Sequence, residues 1–560
     1  MSSTSLINGV NGQLTDWSQV NWKKARQIVR NLRHRIFRAR KLGQWKQLRR
    51  LQKLLIKSRA NLLLSVRQIT QVNTGKQTAG IDKEVINTPA QRVKLVKEWE
   101  MPKASPTKRV YIPKSNGKKR PLGIPTVGDR VAQAIVKNAL EPEWESQFEA
   151  NSYGFRPGRS CHDAIERCFN RLNNGITGKH KWVLDADIKG FFNNIAHESI
   201  QGLIGSFPRG ELIRGWLKAG FIDEGKFNPT QTGTPQGGVI SPLFANIGLH
   251  GLEEYIKTVN PKLGIIRYAD DFIVTAKDKE SLEQVLILIK QWLLNRGLEI
   301  SEEKTRIVHI DDGFDFLGFN LRHYKGKLLI KPQKEKVLAF CKKIGKTLAQ
   351  MKARTQEEVI KTLNPLLRGF ANYYRGVVSK EIFSYIENRV WHDLYRWGLR
   401  RHPNKSKNWV FERYFGSFKR RNGTFMCKGT DRKGKEHLYV LYDISSTPIV
   451  RHIKVKGNAS PDDPSIQEYW EKRSIKTGKN YWARGSKYEQ IAKFQNWKCP
   501  VCGDHLFNGE LIETHHIVPV AEGGSDDPEN LMHLHKACHK QVHSKTQVER
   551  MEVRLEPCDR

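Results

Sequence analysis

Carboxylates gather at two places in this 560-residue chain where apolar runs would otherwise exclude them. Asp185 and Asp187 close the run Trp182-Val183-Leu184 and are followed by Gly190-Phe191-Phe192. Asp270 and Asp271 sit between Ile265-Ile266-Arg267-Tyr268-Ala269 and Phe272-Ile273-Val274, a pattern that predicts a β-hairpin with adjacent acids at its tip. Neighbouring carboxylates beside apolar strands are costly unless ions or hydrogen bonds neutralise them. Phosphoryl transfer from a nucleoside triphosphate asks for such a place: two divalent ions, held by carboxylates, that activate a hydroxyl and stabilise the leaving pyrophosphate. An isolated Asp-Asp pair is more often a turn than a metal site, so the pair alone does not decide.

A second chemistry stands near the C-terminus. Cys499-Pro500-Val501-Cys502 and His535-Lys536-Ala537-Cys538 have the spacing of a tetrahedral structural zinc knuckle. Interleaved with them are Glu513-Thr514-His515-His516, Asn530, and His539 with His543, which are four apart and share one helical face. A zinc ribbon that only grips DNA needs the four knuckle ligands; the further His/Asn set exceeds that need. Cys161, Cys168, Cys341 and Cys427 show no ligand spacing and read as buried thiols, while Cys558 lacks a partner at ligand spacing. Eight scattered cysteines do not make a disulfide framework, and a reducing cytoplasm fits.

Positioning these groups takes several domains. Net charge is +39, with 96 Lys and Arg against 57 Asp and Glu, which calls for a polyanionic partner. Nucleic acid is the candidate, because no run of eighteen apolar residues, signal-peptide core or lipidation motif points to a membrane. Residues 17–81 hold 17 Lys and Arg and no acid, with Ile28, Leu32, Ile36, Leu48, Leu51, Leu55 and Leu62 at helical spacing. This reads as a basic helical extension (1–72) that binds RNA, the bland alternative being a solvated polar face. An α+β stretch follows over 73–330, including a helix with Leu282, Val285, Leu286, Ile289 and Leu293 on one side. Residues 331–415 read as helical and aromatic, with Phe370 and Trp391 assigned to the core. Residues 416–490 read as a basic region, expected to bind DNA, with a strand at 438–441, and 491–560 as the Cys/His unit.

The order of motifs resembles the reverse transcriptases encoded by group II introns. Tyr268-Ala269-Asp270-Asp271 is similar to their hairpin signature, and Asp187 matches their first catalytic aspartate. Thr234-Pro235-Gln236-Gly237-Gly238 resembles the block that lines the incoming nucleotide. Arg109-Val110-Tyr111-Ile112-Pro113-Lys114 and Lys118-Lys119-Arg120-Pro121 resemble the fingers. Ser152-Tyr153-Gly154-Phe155-Arg156-Pro157-Gly158 and Phe314-Asp315-Phe316-Leu317-Gly318-Phe319 match further blocks. One departure is Asn193-Asn194, where Asp is common after the two Phe.

The resemblance implies a multidomain α+β right-hand polymerase with fingers, palm and thumb. Asp187 and Asp270 would ligate two Mg²⁺ ions, with Asp271 beside them and Tyr268 next to the tip. Lys114, Lys118 and Arg120 would neutralise the triphosphate, Gln236 and Gly237 would line it, and Phe191 or Phe192 would exclude a 2′-hydroxyl. Asn364-Pro365-Leu366-Leu367-Arg368-Gly369-Phe370 looks like the maturase segment, implying intron RNA as partner. The C-terminal unit resembles HNH (ββα-metal) nucleases. By that likeness His515, His539 and His543 hold a divalent ion, with Mg²⁺ expected, His516 is the general base, and Asn530 orients His516 and the loop between. Cys499, Cys502, His535 and Cys538 would hold Zn²⁺, His535 standing where Cys is more usual.

The expected activity is target-primed reverse transcription on double-stranded DNA with dNTPs, in a bacterial cytoplasm and on the nucleoid. Two alternatives are a splicing cofactor with a decayed polymerase, opposed by the intact acids, and a reverse transcriptase of another lineage, opposed by the maturase and HNH segments.

Overall fold

The computed structural model describes residues 14–544, apart from 114–116, 118, 174–179, 420, 431–435, 480 and 483–484. The acid-free stretch folds as three helices, Trp22–Lys41, Trp45–Lys57 and Arg59–Arg67, packed on a fourth, Val127–Glu145. Leu32, Ile36, Leu48, Leu51, Leu55 and Leu62 of the predicted stripe are inside, while Ile28 is half-buried and its neighbour Val29 takes the inner position. The cationic face differs from expectation. Arg33 pairs with Glu141 at 2.8 Å and Asp462 at 2.7 Å, Arg49 with Glu143 at 2.7 Å, and Lys41 with Asp463 at 2.9 Å. Acids that the stretch lacks arrive from later in the chain, so part of the charge ascribed to RNA holds the protein to itself.

Two sheets carry the centre. The first runs Lys119–Ile124, Thr107–Pro113, Phe221–Asp223, Lys226–Asn228 in spatial order. The second is antiparallel throughout, in the order Gly264–Tyr268, Asp271–Ala276, Trp182–Ala186, Arg306–His309. Side chains alternate across it with the strand period of two. Val183, Ile266 and Ile273 join the core of the helix Cys161–Leu172, whereas Leu184, Ile265, Phe272 and Val274 join that of Lys279–Leu294. In the latter helix Leu282, Val285, Ile289 and Leu293 of the expected stripe are buried and Leu286 is partly buried.

A meander of Phe314–Phe316, Phe319–Tyr324 and Lys327–Pro332 leads into the helices Lys334–Gln350, Gln356–Tyr374, Lys380–Arg401 and Lys407–Tyr414. A capping box of Thr355 and Glu358 opens the second of these, which continues through Pro365. Phe370 stacks on Phe340 at 4.3 Å and Trp391 on Tyr395 at 5.3 Å, so both serve packing. A second meander, Phe415–Phe418, Arg421–Thr430 and Glu436–Val440, lies against Gln356–Tyr374.

The chain then returns to the second sheet's flank, where fully buried Asp163 accepts hydrogen bonds from Val455 N, His452 Nε2 and Arg473 Nη2 at 2.8, 2.9 and 3.1 Å. Helices Gln467–Lys479 and Lys487–Phe494 lead to the hairpin Ile512–His516/Leu531–His535 and the helix Lys536–Ser544, a ββα unit. Among the described residues no helix is long and apolar enough to cross a membrane.

Candidate functional site

Strand register brings the carboxylates together. Asp185 lies opposite Ile273 and Ala186 opposite Phe272, so one further step sets Asp187 across from Asp271. Tyr268 and Asp271 close the hairpin, and Ala269 turns the corner in the left-handed region at φ +59°. The block around Gly154 holds that corner. Tyr153 N donates to Arg267 O and Arg267 N to Asn151 O, both at 2.9 Å. The buried Arg267 guanidinium donates to Asn246 Oδ1 and Ala269 O, both at 3.2 Å. A Cβ on Gly154 would stand 2.3 Å from Ala269 N, so the backbones approach as only glycine permits.

The cluster is electrostatically frustrated without a cation. Burial, then the charge of Asp187, pushes the Asp270 carboxyl up. For Asp271 the surrounding protein, followed by the charges of Asp270, Asp187 and Asp185, raises the value to about 7. Asp271 is open to the cleft, so solvent weakens the contribution of burial, and repulsion among the acids is the firmer cause. Lys304 offsets it, with Nζ 2.5 Å from Asp187 Oδ2. Its loop hangs on the site through Ser301 N donating to Asp187 O at 2.8 Å. Arg306 takes Asp185 at 3.3 Å, which sets that acid apart from the other three. Oxygen ligands of surplus negative charge at a cleft suit a hard divalent cation.

The other expected residues fall around this cluster. Gly123 N donates to Gln236 O at 2.7 Å, and a Cβ on Gly237 would meet Gly123 O at 2.7 Å, so the Pro-Gln-Gly block lies on the first sheet. Thr234 N donates to Phe192 O at 2.7 Å, tying the same block to the two phenylalanines. Phe191 is 1% exposed and belongs to the core, whereas Phe192 lines a cavity with Gln236 and Arg109. Of the two candidates for sugar contact, Phe192 alone faces solvent space. Arg120 is exposed and near enough to Asp270 to lower its pKa. Lys114 and Lys118 lie outside the described residues.

Both C-terminal sets converge. Ligand atoms of Cys499, Cys502, His535 and Cys538 lie within 4.8 Å of one another, as do those of His515, His539 and His543. His535 presents Nδ1 to Cys502 Sγ at 3.3 Å while Nε2 reaches the carbonyl of His505 at 3.2 Å. That carbonyl fixes the proton on Nε2 and leaves Nδ1 free to ligate, so the His substitution suits the knuckle. Hydrogen bonds from Cys502 and Cys538 pull the Cys499 thiol down to about 3, while Cys538 is pushed up, first by its bond to Cys499. Three thiolates cannot coexist here without a cation, and a soft Cys₃His set fits Zn²⁺.

In the second set, His539 Nδ1 meets Glu513 Oε2 at 2.7 Å, which turns Nε2 towards His515 and His543. His516 points to the other side of the strand, with Nε2 2.6 Å from Asp526 Oδ1. Asn530 reaches the loop rather than this imidazole: Oδ1 accepts from Val518 N at 2.8 Å, and Nδ2 donates to Ser525 O at 2.7 Å. Asp526 is thus the side chain bonded to His516, while Asn530 holds the loop that carries Asp526.

Sequence reasoning missed Lys304 and Asp526, and it quoted Glu513 without giving it a role. Glu513 had a signal, since it lies two residues before His515 and so on the same strand face. Lys304 and Asp526 sit in loops, where no periodicity points anywhere.

With this geometry in place, four family models match successive stretches: the N-terminal domain of reverse transcriptase (17–99), reverse transcriptase (RNA-dependent DNA polymerase) (112–321), the group II intron maturase-specific domain (337–415) and HNH endonuclease (499–545). Protein YkfC of Escherichia coli K12 is 32% identical over 50% of this chain and 87% of its own length. The group II intron-encoded protein LtrA of Lactococcus lactis is 31% identical over 49% of this chain and 61% of its own. An uncharacterized 91 kDa protein in the cob intron of Schizosaccharomyces pombe is 28% identical over 50% of this chain and 44% of its own. The match thus spans less than two thirds of the latter two proteins.

Proposed function

Because this chain belongs to the group II intron-encoded reverse transcriptases, with maturase and HNH endonuclease domains, we propose that it copies intron RNA into DNA by target-primed reverse transcription. The observation that carries this reading is the meeting of Asp187, Asp270 and Asp271 at a hairpin tip braced by Gly154 and Arg267. In this reading Asp187 and Asp270 hold two Mg²⁺ ions and Asp271 adds negative charge beside them. When bound, those ions supply the charge stabilisation that attack by the primer hydroxyl and departure of pyrophosphate require. Arg120, with Lys114 and Lys118, neutralises the triphosphate of the incoming dNTP; Gln236 and Gly237 line its pocket, with Tyr268 beside the tip. Phe192 packs on the sugar and excludes a 2′-hydroxyl.

The maturase and polymerase domains imply binding of intron RNA, and the HNH domain a DNA substrate. We assign double-stranded target DNA to that module, which nicks one strand and frees the 3′-hydroxyl that primes copying. His515, His539 and His543 would hold a divalent ion, Mg²⁺ in this assignment, which would supply charge stabilisation for phosphodiester cleavage. His516, its Nε2 tied to Asp526, takes a proton from water through Nδ1, as a base outside the ligand set must. Zn²⁺ in the knuckle is structural. The proposed layout is an extension (1–72), fingers and palm (73–330), thumb (331–415), a basic DNA-binding region (416–490) and the nuclease (491–560). We place the protein in a bacterial cytoplasm.

The test is primer extension on an RNA template with dNTPs and Mg²⁺, beside nicking of duplex target DNA. Asp270→Ala with Asp271→Ala should abolish extension and leave nicking, and His516→Ala should do the reverse. Absence of cDNA from the unaltered chain would overturn the polymerase assignment in favour of a splicing cofactor.

A further inference from the structure

The loop 499–510 and the helix Lys536–Ser544 are tied to the N-terminal helices by polar contacts at several points. Gln541 Nε2 donates to Ser18 O at 2.5 Å and to Val20 O at 3.3 Å. Arg26 pairs with Asp504 at 2.6 Å and with Glu510 at 2.9 Å. Arg67 lies deepest, 3% exposed, its guanidinium 4.9 Å over the Trp22 ring. Its Nη2 donates to Cys538 Sγ at 3.1 Å and reaches Glu510 Oε2 at 3.3 Å. Its Nε and Nη1 are buried without a partner.

A guanidinium so enclosed depends on how well Cys538 and Glu510 accept. A neutral thiol is a weak acceptor, whereas a metal-bound thiolate makes a charge-assisted hydrogen bond. Cysteine ligates a metal as the thiolate. Cys499 and Cys502 sit on the docking edge 499–510, and His535 and Cys538 at the start of the other, so a metal bound by the four would join the two edges.

We propose that the knuckle metal is the latch that seats the nuclease module on the N-terminal helices of the polymerase, with Arg67 as the positioning residue that engages the metal-bound Cys538 thiolate. Metal loading of the nuclease then sets the rigidity of helices at the polymerase end of the chain. This rests on the knuckle reading above, so metal content is measured first.

The experiment uses the full chain carrying one equivalent of Zn²⁺ or Co²⁺. Arg67→Met should speed zinc release to a chromogenic chelator by about 10- to 100-fold, the range for loss of an outer-shell partner. It should also move the sulfur-to-cobalt charge-transfer band to lower energy, because a thiolate without its hydrogen bond is a better electron donor. Arg67→Lys should restore part of that shift. Arg26→Met, which loosens the docking without touching the thiolate, should raise amide exchange in residues 22–67 and leave the band in place. Chelation should raise exchange in the same helices of the unaltered chain. A knuckle that binds no metal would overturn the zinc reading and the latch together. Bound zinc with Arg67→Met matching the unaltered chain in release and band would overturn the role of Arg67 alone. Unchanged exchange after chelation would overturn the latch.

Discussion

Protons and Mg²⁺ should compete for the polymerase cluster near neutrality. Asp271 has its pKa raised to about 7 by the surrounding protein and by Asp270, Asp187 and Asp185. A carboxylate must lose its proton to help hold a cation, so apparent affinity scales with the ionised fraction. With a pKa of about 7, that fraction rises about 10-fold between roughly pH 6 and pH 8. Asp271 is open to the cleft, so solvent screening weakens the effect of burial and makes that change an upper bound. The half-saturating Mg²⁺ concentration for single-nucleotide extension should therefore fall by up to about 10-fold over that range. Lys304 lowers the Asp271 pKa, so Lys304→Met should move the inflection to higher pH. Mg²⁺ titrations at three pH values, with quenched-flow or gel readout, measure both. Half-saturation indifferent to pH in the unaltered chain, or an inflection moved downward in Lys304→Met, would refute the reasoning.

Three further outcomes are expected. Asp163, pulled to about 2 by His452, the Val455 amide and Arg473 against the effect of burial, contributes stability that is present above the ordinary carboxylate range. That contribution, about 2 kcal/mol, is lost as pH falls towards 2, so urea unfolding of Asp163→Asn should show a weaker acid dependence than the unaltered chain. Gly154→Ala should displace the hairpin tip, destabilise by about 1–3 kcal/mol and remove extension, read by thermal melting and cDNA yield. His516→Ala should lower nicking by about 10²- to 10⁴-fold with zinc content unchanged, and Asp526→Ala should give a smaller loss in the same plasmid-nicking assay.

Local pattern along the chain specifies the elements and the inventory of chemistry. The period-two runs around Asp187 and Asp270–Asp271 specify strands, because side chains on a strand alternate faces whatever lies beyond it. The stripes of Leu48, Leu51 and Leu55, and of Leu282, Val285 and Ile289, specify helices for the corresponding reason, and all six are buried. Knuckle spacing likewise declares its ligands, since Cys-x-x-Cys closes a turn locally. Tertiary structure decided the partners. Lys304 meets Asp187 across 117 residues, and Arg67 meets Cys538 across 471. Asp526 rather than Asn530 takes His516, and Phe191 rather than Phe192 enters the core. The acids that answer Arg26, Arg33, Lys41 and Arg49 all lie beyond the acid-free stretch itself. An ion pair depends on distance in space and on local desolvation, and neither is written in the spacing of residues along the chain.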